Sequence, residues 1–158
     1  MARYVGNFQS MFKTKMRRLA PLVAILITTS SCAITQHVNG TDMKCPSSPK
    51  CVSSEERNTP RFIEPFSFDD QPKQAMKRLK VALLEEDHVT ITHEESTSLL
   101  AEVRSQIFGF VDDVKFVLLP EQGTIQVRSS ARTGYSDLGV NRRRIERIRR
   151  VFEDSKSI

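Results

Sequence analysis

The sequence predicts an α+β two-layer sandwich: an antiparallel sheet of about four strands with two helices on one face. Three observations lead there. Apolar and polar residues alternate in short runs between Val89 and Arg128. Apolar residues at helical spacing occur before that region, over 75–83, and after it, over 145–152. Between two of the alternating runs stands Pro120-Glu-Gln-Gly123, a turn signal that makes them a hairpin.

Taken in order, Asp69-Asp70-Gln71-Pro72 predicts a helix start, with a carboxylate N-cap and proline in the first turn. Ala75, Met76, Leu79, Ala82 and Leu83 form the apolar stripe of a helix ending near Glu86. Lys73, Lys77, Arg78 and Lys80 fall on its solvated side. Val89, Ile91 and His93 alternate against Thr90 and Thr92 as a strand. Residues 99–107 fit either period, and the alternation Leu99, Ala101, Val103, Ser105, Ile107 favours a strand. Val114, Phe116 and Leu118 make the next strand; Ile125 and Val127 make the returning one. Asn141 is the expected cap of a second helix with Ile145, Ile148, Val151 and Phe152 inward. Arg142, Arg149 and Arg150 are expected as an exposed stripe on it.

A chain of 158 residues fits one small domain. With 39% hydrophobic and 27% charged residues, wholesale disorder is excluded. The net charge of +5 is not a nucleic-acid signal, because its excess lies wholly in residues 1–31. That segment holds Arg3, Lys13, Lys15, Arg17 and Arg18 and no acid, leaving 19 basic and 19 acidic residues from Cys32 onward. No nucleic-acid partner is expected.

Residues 1–31 have the layout of a secretory signal: a basic n-region, the apolar run Leu19–Ile27, then small residues. The run is too short to span a bilayer, which needs ~20 residues. Met11 offers a second start with a more usual signal length. Cys32 after Thr-Ser-Ser resembles the lipobox of bacterial lipoproteins, although Thr29 stands where leucine is preferred. The resemblance implies lipidation of Cys32, and Ala33 after it implies sorting to the outer membrane in a Gram-negative envelope. The expected layout is a signal peptide over 1–31, a tether over 32–44, one domain over 45–152 and a tail over 153–158. The expected location is the periplasmic side of a membrane, with a lipid anchor as the membrane partner.

Cys45 and Cys51 remain once Cys32 is set aside. An exported chain favours a disulfide between them, because the loop is short and contains Pro46 and Pro49. A metal site lacks a second cysteine pair; His37 is near in sequence, while His88 and His93 belong to another segment. A redox dithiol usually has two intervening residues rather than five. No metal and no cofactor are expected. Residues 45–68, with four prolines, read as an extended leading segment in which Arg61–Phe66 covers a core edge.

One region concentrates polar chemistry. From Arg128 to Arg150 there are eight arginines, no lysine and two acids. Strand alternation puts Arg128, Ser130 and Arg132 on one face, and the chain then passes Gly134 and Gly139 to the helix start at Asn141. With Arg143, these residues are the candidate anion-binding set, since arginine forks and helix N-termini both recognise carboxylate or phosphate. The blander alternative is an internal network in which Asp112, Asp113 and Asp137 pair with the arginines. Asp112 and Asp113 are adjacent, so on a strand they face opposite ways and cannot act as paired carboxylates. No nucleophile motif, phosphate loop or zinc-helix motif occurs, and no catalytic residue is assigned.

Three stretches carry a family resemblance: Cys45–Ser54, Phe110–Val114 and Val127–Arg144. In this order they resemble the signatures of the domain of unknown function 1499 family, over roughly residues 45–151. The resemblance implies a bacterial or plastid-associated domain, often exported, with the same aspartate and arginine positions of interest. It implies no reaction. Lys50 and Lys115 depart from the family's usual residues, and Lys115 replaces a common glutamate, which weakens any acidic metal cluster.

The expectation is therefore an envelope lipoprotein whose domain is a non-catalytic binding module for an anionic small molecule, a lipid headgroup or an envelope protein. One rival is a small hydrolase or transferase using Asp112 or Asp137 with Arg128 and Arg132. The other is a structural or assembly factor of the envelope.

Overall fold

The computed structural model describes residues 42–157. The signal segment, Cys32, His37 and most of the expected tether lie outside the described residues. No helix among the described residues is long and apolar enough to cross a membrane.

Six strands and two helices form an α+β fold, all strand pairings being antiparallel. In chain order the elements are β1 (Cys51–Ser53), β2 (Phe66–Ser67), α1 (Pro72–Leu84), β3 (Val89–Glu94), β4 (Ser98–Arg104), β5 (Val111–Leu119), β6 (Thr124–Ala131) and α2 (Val140–Asp154). The sheet order is β1-β6-β5-β4-β3, and β2 also pairs with β6. The four longer strands are those the alternation predicts, but β4 covers only the first part of the ambiguous stretch 99–107: it ends at Arg104, and Ser105 and Ile107 fall in the loop that follows. The additional β1 and β2 share one edge: Cys51 pairs with Ser130, and Phe66 with Ile125. Both are too short for a periodicity to register, and β6 supplies the template that makes them strands.

Alternation sends Leu99, Ala101 and Val103 of β4, Val114, Phe116 and Leu118 of β5, and Ile125 and Val127 of β6 to one face. Ala75, Leu79, Ala82 and Leu83 of α1 meet them there with Ile145, Ile148 and Phe152 of α2. Ile63 and Phe66 of the leading segment join this core, and Phe66 packs edge-on against both Phe116 and Phe152. The core runs from Val52 to Phe152, so the segment from Asp42 onward holds a complete core of its own.

Both helix starts differ from expectation. Gln71, not an aspartate, precedes α1, and its side chain makes no cap. Asp70 instead takes a two-pronged ion pair from Arg78, at 2.8 and 3.1 Å. Arg78 also donates to Phe152 O and stands over the Phe152 ring, so it joins α1 to the end of α2 instead of facing water. At α2 the N-cap residue is Gly139, with φ of +77°, and the caps come from Asp137. A side chain at position 139 would be strained and would press on Arg143 Nη1, 3.1 Å from where its Cβ would lie. The expected exposed stripe is also partly inward. Arg142 donates to Pro60 O and Phe62 O, and Arg149 to Glu64 O and Pro65 O while covering the Phe66 ring. Proline-broken backbone leaves carbonyls without ladder partners, and these arginines satisfy them.

On the opposite sheet face, residues 42–50 form a strap over β1 and β6. Cys45 and Cys51 are joined by a disulfide, with Cα atoms 5.6 Å apart. Met43 is buried, its carbonyl accepts a hydrogen bond from Ser53 Oγ, and Lys44 O accepts one from Arg128 Nε. The end of the expected tether is thus part of the fold. So is the start of the expected tail: α2 runs to Asp154, and Lys156 Nζ pairs with Asp69 at 2.6 Å.

Candidate functional site

The residues expected to surround an anion divide between the two sheet faces. Arg128, Ser130 and Arg132 lie on the strap side; Asn141 lies on the helix side, where its Oδ1 accepts a hydrogen bond from Ser129 Oγ. Arg128, Arg132 and Asn141 are already engaged. Arg132 reaches both Asp113, at 2.7 Å, and Glu102, at 2.5 Å, which raises its pKa and holds it charged. Ser130 is buried opposite Cys51. Arg143 is exposed and donates to Leu138 O at 2.9 Å. The five make no common site. The internal pairing of acids with arginines holds for Asp113 with Arg132, but Asp112 takes Arg144 rather than any of the arginines singled out from sequence.

Asp112 and Asp113 do face opposite ways. Asp112 lies on the helix face of β5, in line with Val114 and Phe116, and its Oδ2 accepts Arg144 Nη2 at 2.7 Å. The register of α2 places Arg144 there: Asn141, Arg144, Ile145 and Ile148 are its buried side. Arg144 Nη1 donates to Asn141 Oδ1 at 2.8 Å. Asp137 closes the chain of contacts by accepting from the amides of Gly139 and Asn141 and from Asn141 Nδ2. Burial pushes the Asp137 carboxyl up, but the Asn141 and Gly139 amides outweigh it and its pKa is lowered.

Above this network is a cleft of about 310 Å³ at one end of the sheet. The loop joining β4 to β5 contributes Ser105 and Phe110; the loop joining β6 to α2 contributes Thr133, Gly134, Ser136 and Asp137. Ala131 and Val140 line its side, and Asp112 and Arg144 its floor. Of the three hydroxyls, two are tied to their own loops: Ser105 Oγ accepts Phe110 N, and Ser136 Oγ accepts Leu138 N, while Thr133 lines the cleft beside them. Arg144 takes only Oδ2 of Asp112, and among the described residues Oδ1 has no partner. The cleft is therefore largely apolar, with one carboxylate oxygen free to accept a hydrogen bond. No histidine or cysteine lines it. Among the described residues no three histidine, cysteine, aspartate or glutamate side chains gather as a metal site.

Sequence reasoning missed Arg144 and the cleft. The signal for Arg144 was present: it is three residues from Asn141 and one before Ile145, on the apolar stripe, opposite an aspartate on the apolar side of β5.

Fold and site together define a single α+β domain with a loop-lined cleft over a buried ion pair. A family model described as Protein of unknown function (DUF1499) matches residues 43–152, and the chain belongs to that family. No curated protein and no solved structure matches it.

Proposed function

We propose that this chain is an envelope lipoprotein, anchored through Cys32 on the periplasmic side of a membrane, whose domain is a non-catalytic binding module. The ligand enters the cleft with an apolar group against Phe110, Ala131 and Val140 and donates a hydrogen bond to Asp112 Oδ1. The observation that carries this reading is the buried Asp112–Arg144 pair with one carboxylate oxygen left open to an apolar cleft. The pair cancels its own charge, so the cleft favours a neutral donor, such as a hydroxyl or amide, over a bare anion. A binding role is supported over a catalytic one because the other charged groups there, Asp137 and Arg144, are held by their neighbours, and Ser105 and Ser136 accept amides of their own loops. Export is supported by the signal layout and by the disulfide, which persists in oxidising compartments.

Mass spectrometry of the chain purified from its own membrane fraction tests both parts. The denatured mass is expected to begin at Cys32 with acyl chains and to lack two hydrogens. The native spectrum is expected to retain a small molecule that Val140→Trp, which fills the cleft, expels. An unprocessed mass overturns the anchoring; a bare wild-type domain overturns the binding reading.

A further inference from the structure

We infer that the rim of the cleft is a membrane-docking surface that inserts shallowly into an anionic phospholipid bilayer. Ile107, Phe108 and Phe110 stand out from one loop, Tyr135 and Leu138 from the other, and Val140 from the first position of α2; all six are exposed. Ile107 and Leu138 are 84% and 83% exposed. Apolar residues are ordinarily scattered singly on a surface; six on two loops and the adjoining helix start around one opening form a patch that calls for a partner. Phe108 and Phe110 stack on each other at 5.5 Å but not on the core. Leu138 has φ of +53°, a left-handed conformation that a bulky residue adopts only at a cost, and it spends that cost on facing water.

The charge pattern fits a bilayer. Residues 105–110 carry no charge, and residues 132–140 carry only Arg132 and Asp137, both already paired: the exposed Arg132 with Asp113 and Glu102, and Asp137 with the first amides of α2. Two cations flank the rim without an ion pair among the described residues: Lys50 Nζ donates to Arg132 O at 3.1 Å, and Arg143 Nη1 to Leu138 O. Uncharged apolar tips, a tyrosine, and cations just behind them match the depth order of acyl chains, interface and phosphate headgroups. The chain length agrees. Cys32 is ten residues before Asp42, a reach of up to about 35 Å when extended. The strap meets β6 at Arg128, three residues or about 10 Å along the strand from the rim end at Ala131. A chain held at Cys32 can therefore lay its rim on the same membrane. The inference borrows the anchor only for that placement; the rim's own affinity is testable without it.

The segment 42–158, which has its own core and no anchor, is mixed with vesicles of phosphatidylethanolamine and phosphatidylglycerol and sedimented. The wild type is expected to partition onto them, with hydrogen exchange slowed at 105–110 and 132–140. Phe108→Ser with Leu138→Asn is expected to lower the partition coefficient about tenfold or more, with an unchanged or raised unfolding midpoint, because asparagine tolerates the left-handed conformation. Absence of wild-type partitioning overturns the inference. So does equal partitioning of the double variant, or self-association through the same residues without vesicle binding. None of these outcomes bears on ligand retention in the cleft or on the mass at Cys32, which test the other reading separately.

Discussion

Arg144 Nη2 lies 2.7 Å from Asp112 Oδ2, with the two side chains only 6% and 11% exposed. This pair joins α2 to β5 beneath the cleft. At that depth neither charge is well solvated, so each depends on the other.

Arg144→Ala is expected to destabilise the domain by about 3–5 kcal/mol, because it leaves the Asp112 carboxylate buried without its cation. Arg144→Met with Asp112→Leu is expected to lose much less than the two single changes combined. Urea unfolding of the three variants measures this. A loss below about 1 kcal/mol for Arg144→Ala would show that solvent already compensates the carboxylate.

Asp137 holds the first turn of α2 through two backbone amides. Asp137→Ala is expected to cost about 1–2 kcal/mol, as for a lost N-cap. Because its folded pKa is lowered from an ordinary value of 3.8, its contribution is fully present above that pH. It is lost as pH falls through the lower folded value. The wild type is therefore expected to lose stability on acidification below about pH 4 more steeply than Asp137→Asn. Parallel acid titrations that coincide would remove Asp137 from this role.

Lys115 is buried on the strap side of β5, directly across from Arg128. Burial first, and Arg128 second, lower its pKa, while Asp42 and Glu55 oppose the shift. The charged lysine is thus a net cost below its folded pKa, relieved as pH rises toward 10.5. Lys115→Met is expected to raise stability by about 1 kcal/mol at neutral pH and to flatten the alkaline rise. Thermal unfolding at neutral and alkaline pH gives the comparison, and a destabilised methionine variant would refute the assignment.

The Cys45–Cys51 bridge pins the strap whose Met43 is buried against the sheet. Reduction is expected to cost about 2 kcal/mol, the loop-closure entropy of so short a ring. The amides of 43–53 are expected to exchange faster while those of β4 and β5 stay protected. Uniform loss of protection would mean the strap is part of the global folding unit.

The sequence by itself determined the long strands, the two helices, the hairpin at Pro120–Gly123 and the opposed faces of Asp112 and Asp113. These are local: a period of two or 3.6 residues and a turn residue act over a few neighbours. The tertiary structure alone decided the rest. β1 and β2 exist because β6 offers them an edge. Arg142 and Arg149 turn inward because prolines elsewhere leave carbonyls to satisfy. The arginines expected to gather do not, because Arg128 and Arg132 sit on the sheet face away from α2. The pairing that forms instead, Arg144 with Asp112, follows from burial: 32 residues separate them in the chain. Only the packing of α2 on the sheet brings that carboxylate and that guanidinium into one dry place, where they must neutralise each other.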